Sequence, residues 1–170
     1  MGSVVVEGQI NARVEQVFAV MSDIPNAANM ISGITKIEML TEGAVGVGTR
    51  WKETRLMFGK EATEEMGITE FIPNHSYVVE SDSCGARYRT EIRFFAAAGG
   101  TKVRMDFGAK PQTLFAKVMQ PLSWMMRGAI LKCLEKDLAD VKTICEAQPV
   151  SESESSIADE PTDSVEEPSV

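Results

Sequence analysis

Apolar and polar positions alternate along the opening of the chain. In "SVVVEGQI", Val4, Val6 and Ile10 share one face while Val5, Glu7 and Gln9 share the other, the period of a half-buried strand. The period then changes to that of a helix. Val14, Val17, Phe18 and Met21 form a stripe, with Asn11 placed as the expected N-cap and Glu15 in the first turns. "SDIPNAANMI" predicts a short second helix with Pro25 in its first turn. A run of strands follows: "ITKIEML", "TRWKETRLM", "KEATEEMGITEF", "SYVVESDS", "CGARYRTEIRFFAAA" and "TKVRMDFGAK". Gly99-Gly100 between the last two predicts a tight hairpin. Tyr88, Thr90, Ile92 and Phe94 oppose Arg87, Arg89, Glu91 and Arg93; Val103, Met105 and Phe107 oppose Lys102, Arg104 and Asp106. Such a meander is an antiparallel sheet with one apolar and one charged face.

A cover for the apolar face comes last. After Pro111 the chain reads as a long helix, with Leu131, Leu134, Leu138, Val141 and Cys145 at 3-4-3-4 spacing. Upstream, Leu114, Phe115, Val118, Met119, Leu122, Met125, Met126 and Ile130 make a broader apolar surface, and Pro121 is expected to kink the helix. The order is strand, two short helices, six further strands, long helix.

Charge sharpens this picture by position. The chain of 170 residues has a net charge of −8, but seven carboxylates and no Lys or Arg lie from Gln148 onward, which leaves the first 147 residues at −1. A nearly neutral body has no basic surplus to hold a phosphate backbone, so nucleic acid is not an expected partner. The expected division is a domain over residues 1–147 and an acidic, disordered tail over 148–170, solubilising or a docking strip for a protein partner. The N-terminus has no charged leader before an apolar stretch, and Val6 stands where a myristoylation signal needs Ser or Thr. No run approaches the ~20 apolar residues of a membrane span. With Cys84, Cys133 and Cys145 lacking metal-like spacing, the expected location is cytoplasmic, with no metal and no cofactor. His75 is the lone histidine, in a turn, with no partner for acid-base work identifiable nearby. "GAVGVG" joins two strands and lacks the Lys-Ser/Thr and helix of a phosphate loop.

The order of the elements and their particular words resemble the START-like (SRPBCC, helix-grip) superfamily, and within it the polyketide cyclase/dehydrase branch. The resemblance runs over roughly residues 3 to 146 and rests on "NARVEQVFAVMSDIPN", "GVGTRWKETR", "EMGITEFIPN", "GGTKVRMDF" and "LEKDLADVKTICE". These words are architectural rather than catalytic. The resemblance implies an α+β fold in which a curved antiparallel sheet of about six to seven strands wraps a long C-terminal helix over an apolar cavity. It implies a hydrophobic, lipid- or polyketide-like small molecule as ligand. A cyclase or dehydratase and a co-chaperone-like interaction protein are the alternatives. Residues expected to line the cavity are Trp51, Met66, Tyr77, Tyr88, Ile92, Met105, Phe107, Met119, Leu122 and Met126, the methionines as a malleable lining and the tyrosines with hydroxyls to offer.

The hairpin "GTRWKETRLMFGKEATEEM" carries the polar candidates. A two-residue turn at Phe58-Gly59 sets Trp51 against Met66 and Glu53 against Glu64, with Arg55 diagonal to Glu64. A three-residue turn slips the pairing by one residue. The apolar set Ala62, Met66 and Ile68 favours the first register. There Glu53 and Glu64 meet on the concave face, and Arg55, a shared proton or a ligand must resolve their repulsion. Charges on the face of a tryptophan suit the polar end of a pocket better than a solid core. The alternative is a sheet edge where they pair in solvent. Were the protein an enzyme, Glu53 and Glu64 would be its general acid-base pair.

Overall fold

The computed structural model describes residues 3–57, 59–83, 85–113 and 127–147. Strand β1 (Val4–Ile10) leads to helix α1 (Val14–Ser22), a 3-10 turn (Ile24–Asn26) holding Pro25, and the short helix α2 (Ala27–Met30). Strands β2 (Ile34–Met39), β3 (Arg50–Met57), β4 (Lys60–Ile72), β5 (Ser76–Ser83), β6 (Ala86–Ala97) and β7 (Gly100–Pro111) follow, and helix α3 (Arg127–Ala147) is last. The seven described strands form one antiparallel sheet in the order β1-β7-β6-β5-β4-β3-β2, so β1 and β2 are its two edges. This is the helix-grip architecture that the resemblance implies.

α1 begins two residues later than the Asn11 cap implies, with Arg13 at its N-cap and no side chain bonding the first turn. The chain turns between strand and helix instead: Ala12 N–H donates to Ile10 O, and the buried Thr101 hydroxyl donates to Ala12 O at 2.8 Å. Asn11 offers its backbone N–H to Glu146 of α3 at 2.8 Å. Tertiary partners thus replace the local cap. The β3–β4 hairpin takes the two-residue turn, pairing Met57 with Lys60, Glu53 with Glu64 and Trp51 with Met66, and Gly59 supplies the positive φ of 75°. His75 lies exposed in the β4–β5 turn, its ring at 3.1 Å from the Ser76 hydroxyl.

The core is built from the concave face. Val6, Ile10, Ile92, Phe94, Val103 and Met105 are buried there against Val17 and Phe18 of α1 and Leu138, Val141 and Cys145 of α3. Phe18 meets Phe71, Tyr77 and Phe94 edge-on at centroid distances of 5.3, 6.1 and 5.3 Å. Each buried aliphatic or aromatic side chain contributes about 1.5–3 kcal/mol of transfer free energy. The convex face is charged, with Lys102 and Arg104 reaching Glu7 at 2.8 and 2.9 Å and Arg89 reaching Glu91 at 3.0 Å. Exposed pairs of this kind each contribute about 1 kcal/mol or less. They keep that face in water.

α3 spans the concave side of the sheet and is tied to both of its sides. On the β1 side, Leu138 packs so closely over Gly8 that a Cβ there would lie 2.6 Å from its Cδ2. Arg127 donates to Ser3 O at 3.0 Å. On the other side, Asp140 accepts from the Ser32 N–H at 2.9 Å and hydroxyl at 2.6 Å, and Asp137 meets Arg55 of β3. Leu138 and Asp137 are adjacent in sequence and so point about 100° apart around a helix of 3.6 residues per turn. Leu138 faces β1 and Asp137 faces β3.

Candidate functional site

Inward-facing residues fall into rows that cross the sheet. Tyr77, Ile92, Met105 and Val6 form one row through the β5–β6, β6–β7 and β1–β7 registers, and all four are buried. The next row toward the β3–β4 hairpin is Ile68, Val79, Thr90, Phe107 and Val4. Its ends are buried, but Val79, Thr90 and Phe107 are partly exposed. The third is Trp51, Met66, Ser81, Tyr88 and Ala109, where only Trp51 is buried. Among the described residues, the concave face is buried beneath α1 and becomes partly exposed toward the hairpin. Tyr88 and Phe107 stack there with centroids 5.9 Å apart.

Charge is concentrated at the β3 side of this region. Glu53 is 6% exposed and Asp137 7%, while the Arg55 side chain between them keeps 21% exposure. The Arg55 Nε donates to Glu53, and its Nη1 donates to Asp137 at 2.8 Å and to the Cys133 sulfur at 3.2 Å. The Trp51 indole N–H donates to the other Glu53 oxygen at 3.2 Å. Burial works against the Arg55 charge, but Glu53 and Asp137 outweigh it and hold the guanidinium above its usual pKa. Burial likewise pushes the Asp137 carboxyl up, and Arg55 offsets this only in part. Cys133 is raised for the same reason, with Asp137 adding to it. Glu64 lies opposite Glu53 in the register, partly exposed, and makes no hydrogen bond or ion pair among the described residues. Arg55 therefore resolves the expected carboxylate conflict by taking Glu53, and Asp137 joins it from the helix.

Three features meet in this geometry: a sheet bent around a helix, an apolar concave face partly exposed among the described residues, and a buried charge cluster at its side. A family model described as polyketide cyclase / dehydrase and lipid transport matches residues 1–146. The chain belongs to this family. No curated protein matches it. Among solved structures, the chain is similar to TTHA0849 from Thermus thermophilus (17% identity, TM-score 0.68, 86% of this chain and 98% of that one). It is also similar to a START superfamily protein from Mycobacterium smegmatis (14% identity, TM-score 0.67, 85% and 97%). A third is the di-domain ARO/CYC BexL from the BE-7585A biosynthetic pathway (17% identity, TM-score 0.72, 87% of this chain). This chain spans 51% of BexL. At such identities these likenesses establish the fold.

In this member of the polyketide cyclase/dehydrase and lipid-transport family, the sequence-predicted residues separate by depth. Trp51, Tyr77, Ile92 and Met105 are buried; Met66, Tyr88 and Phe107 face the open part of the cup. The Tyr77 hydroxyl donates to Met21 O at 2.8 Å inside the aromatic cluster, and burial raises its pKa so that it stays protonated. Met119, Leu122 and Met126 lie outside the described residues, as do Phe58, Cys84 and the chain from Gln148. Asp137 escaped the sequence reading, although its signal was present. It is a carboxylate three residues after Leu134 and four before Val141, on the helix's apolar stripe. Among the described residues, no three His, Cys, Asp or Glu side chains gather as metal ligands, and no helix is long and apolar enough to cross a membrane.

Proposed function

We propose that this protein binds a hydrophobic small molecule, lipid- or polyketide-like, between the concave sheet face and α3. Its polar end lies against Glu53, Arg55 and Glu64, joined by Asp137. The observation that carries the reading is the gradient of exposure along one face. Side chains with the same inward orientation are buried under α1 yet partly exposed from Val79 and Thr90 to Met66 and Tyr88. A face built only to pack would be covered along its whole length. The family description, which includes lipid transport, supports the same reading.

A second reading is a cyclase or dehydratase with a cavity carboxylate as general acid-base. It is favoured by Glu64 facing Glu53 without an ion partner of its own among the described residues. Native mass spectrometry of the purified protein tests the first reading. The expected spectrum contains a small-molecule adduct that is lost on denaturation and recovered in organic extract. A spectrum of bare protein that also takes up no added apolar compound overturns it. Turnover of a β-hydroxy ketone, lost in Glu64→Gln, would move the assignment to the enzyme.

A further inference from the structure

The charges that face the cup are unequal in number, and the inequality selects a guest. Among the described residues, the sheet contributes Glu53, Arg55 and Glu64, and α3 contributes Asp137: three carboxylates against one guanidinium. Arg55 is the only cation of the group, and it is already engaged. Its Nε serves Glu53, and its Nη1 serves Asp137 and Cys133. An anionic head drawn to Arg55 would come up against Glu53 and Asp137, both buried, with Glu64 across the register from Glu53. Like charges brought together with little water between them repel strongly. Lys60, the next cation toward the hairpin tip, is exposed and stands roughly 13 Å along β4 from Glu64 at ~3.3 Å per residue. It belongs to the solvent side of the rim.

Hydrogen bonding points the same way. Glu64 is an acceptor without a donor among the described residues, and an ionised carboxylate can only accept. A guest that donates to it completes the site; a guest that brings a second carboxylate leaves both unpaired. A cationic head would answer the charge, but it would have to shed its own hydration to enter beside the Met66 and Phe107 side chains and the Tyr88 ring. A hydroxyl donates to the carboxylate at a far smaller desolvation cost.

We infer that the guest is an uncharged, hydroxyl-bearing apolar molecule (an alcohol or phenol), and that fatty acids and phosphate-bearing lipids are excluded by Glu53, Glu64 and Asp137. This rests on the pocket reading and narrows it. The test uses the full chain and a neutral fluorescent probe, N-phenyl-naphthylamine, displaced in turn by decanol and by decanoate near neutral pH, where the acid is ionised. Decanol is expected to displace the probe at a concentration at least about tenfold below that of decanoate, the factor that corresponds to about 1.4 kcal/mol. In Glu64→Gln the ratio is expected to narrow several-fold, through tighter decanoate binding. Equal or tighter displacement by decanoate in the unaltered protein overturns the inference and leaves the pocket standing. A probe that does not bind at all overturns the pocket, and the inference with it.

Discussion

Replacing Arg55 with methionine is expected to be among the most damaging single changes in the protein, lowering stability by about 3–5 kcal/mol at neutral pH, as removal of one partner from a buried ion cluster does. For a chain of this size that corresponds to a fall in Tm of roughly 10 °C. Methionine keeps much of the aliphatic volume, so lost packing is a small part of the effect. Most of it comes from Glu53 and Asp137, which are buried and would face each other with no cation between them. The Arg55–Asp137 pair also ties α3 to β3, so the loss loosens the grip on the side away from Gly8 and Leu138.

The pH dependence has a definite sign. Burial raises the Asp137 carboxyl above its ordinary value even with Arg55 present. Without Arg55 the folded protein takes up a proton there more readily than the unfolded chain. The deficit is therefore complete above the raised folded-state value, and it shrinks as pH falls through that value toward the ordinary carboxylate range. Denaturation curves at several pH values measure it. The same substitution in an E53Q/D137N background is expected to cost far less, since neither carboxylate is then left uncompensated. Equal losses in both backgrounds would show that Arg55 acts by packing alone.

Gly100→Ala is expected to match it from a different cause. Gly100 sits at φ 137° in the first position of β7, directly beneath the turn from β1 to α1. An added Cβ would be driven onto the Ile10 carbonyl oxygen, and it would lie 2.9 Å from both the Ala12 nitrogen and the Asn11 Cα. All three neighbours are backbone, so no side chain can swing aside. The turn they form is held by Thr101 and Glu146, and moving it disturbs the seat of both helices. The cost is expected to reach about 3 kcal/mol, the upper end of overpacking, together with the strain of the positive φ. Gly99→Ala is the control. At φ 80° its Cβ would meet only the Gln9 amide nitrogen, at 3.7 Å, and the cost is expected to be about 1 kcal/mol, that of a left-handed residue. Chemical denaturation of the two variants separates the readings. Similar losses would mean that the clash at Gly100 is relieved.

Much of the architecture was legible because local signals agreed with one another. The alternation in β6 and β7, the glycine hairpin between them and the stripe from Leu131 to Cys145 each reported period and position together. The β3–β4 register was less legible, because two pairings compete in the sequence. Turn chemistry with a left-handed Gly59 suits a three-residue loop, while placing Met66 and Ile68 on the face of Trp51 suits the two-residue turn that the hairpin takes. Contacts between distant parts of the chain were not legible. Asn11 reads as a cap in isolation, yet its N–H is taken by Glu146 from the far end of the domain. Asp137 reads as one polar residue on a helix, and only the fold brings it within 2.8 Å of Arg55. Glu53 and Arg55 were placed correctly as inward-facing charges, but their partner came from an element that the hairpin sequence cannot reveal.

The most direct test is a backbone-amide chemical-shift map of the protein titrated with N-phenyl-naphthylamine. A guest held between sheet and helix should move the resonances of Met66, Val79, Ser81, Tyr88, Thr90 and Phe107, together with Asp137 on α3, while Glu7, Lys102 and Arg104 on the convex face stay still. Shifts confined to the convex face, or none at saturating probe, would contradict the account.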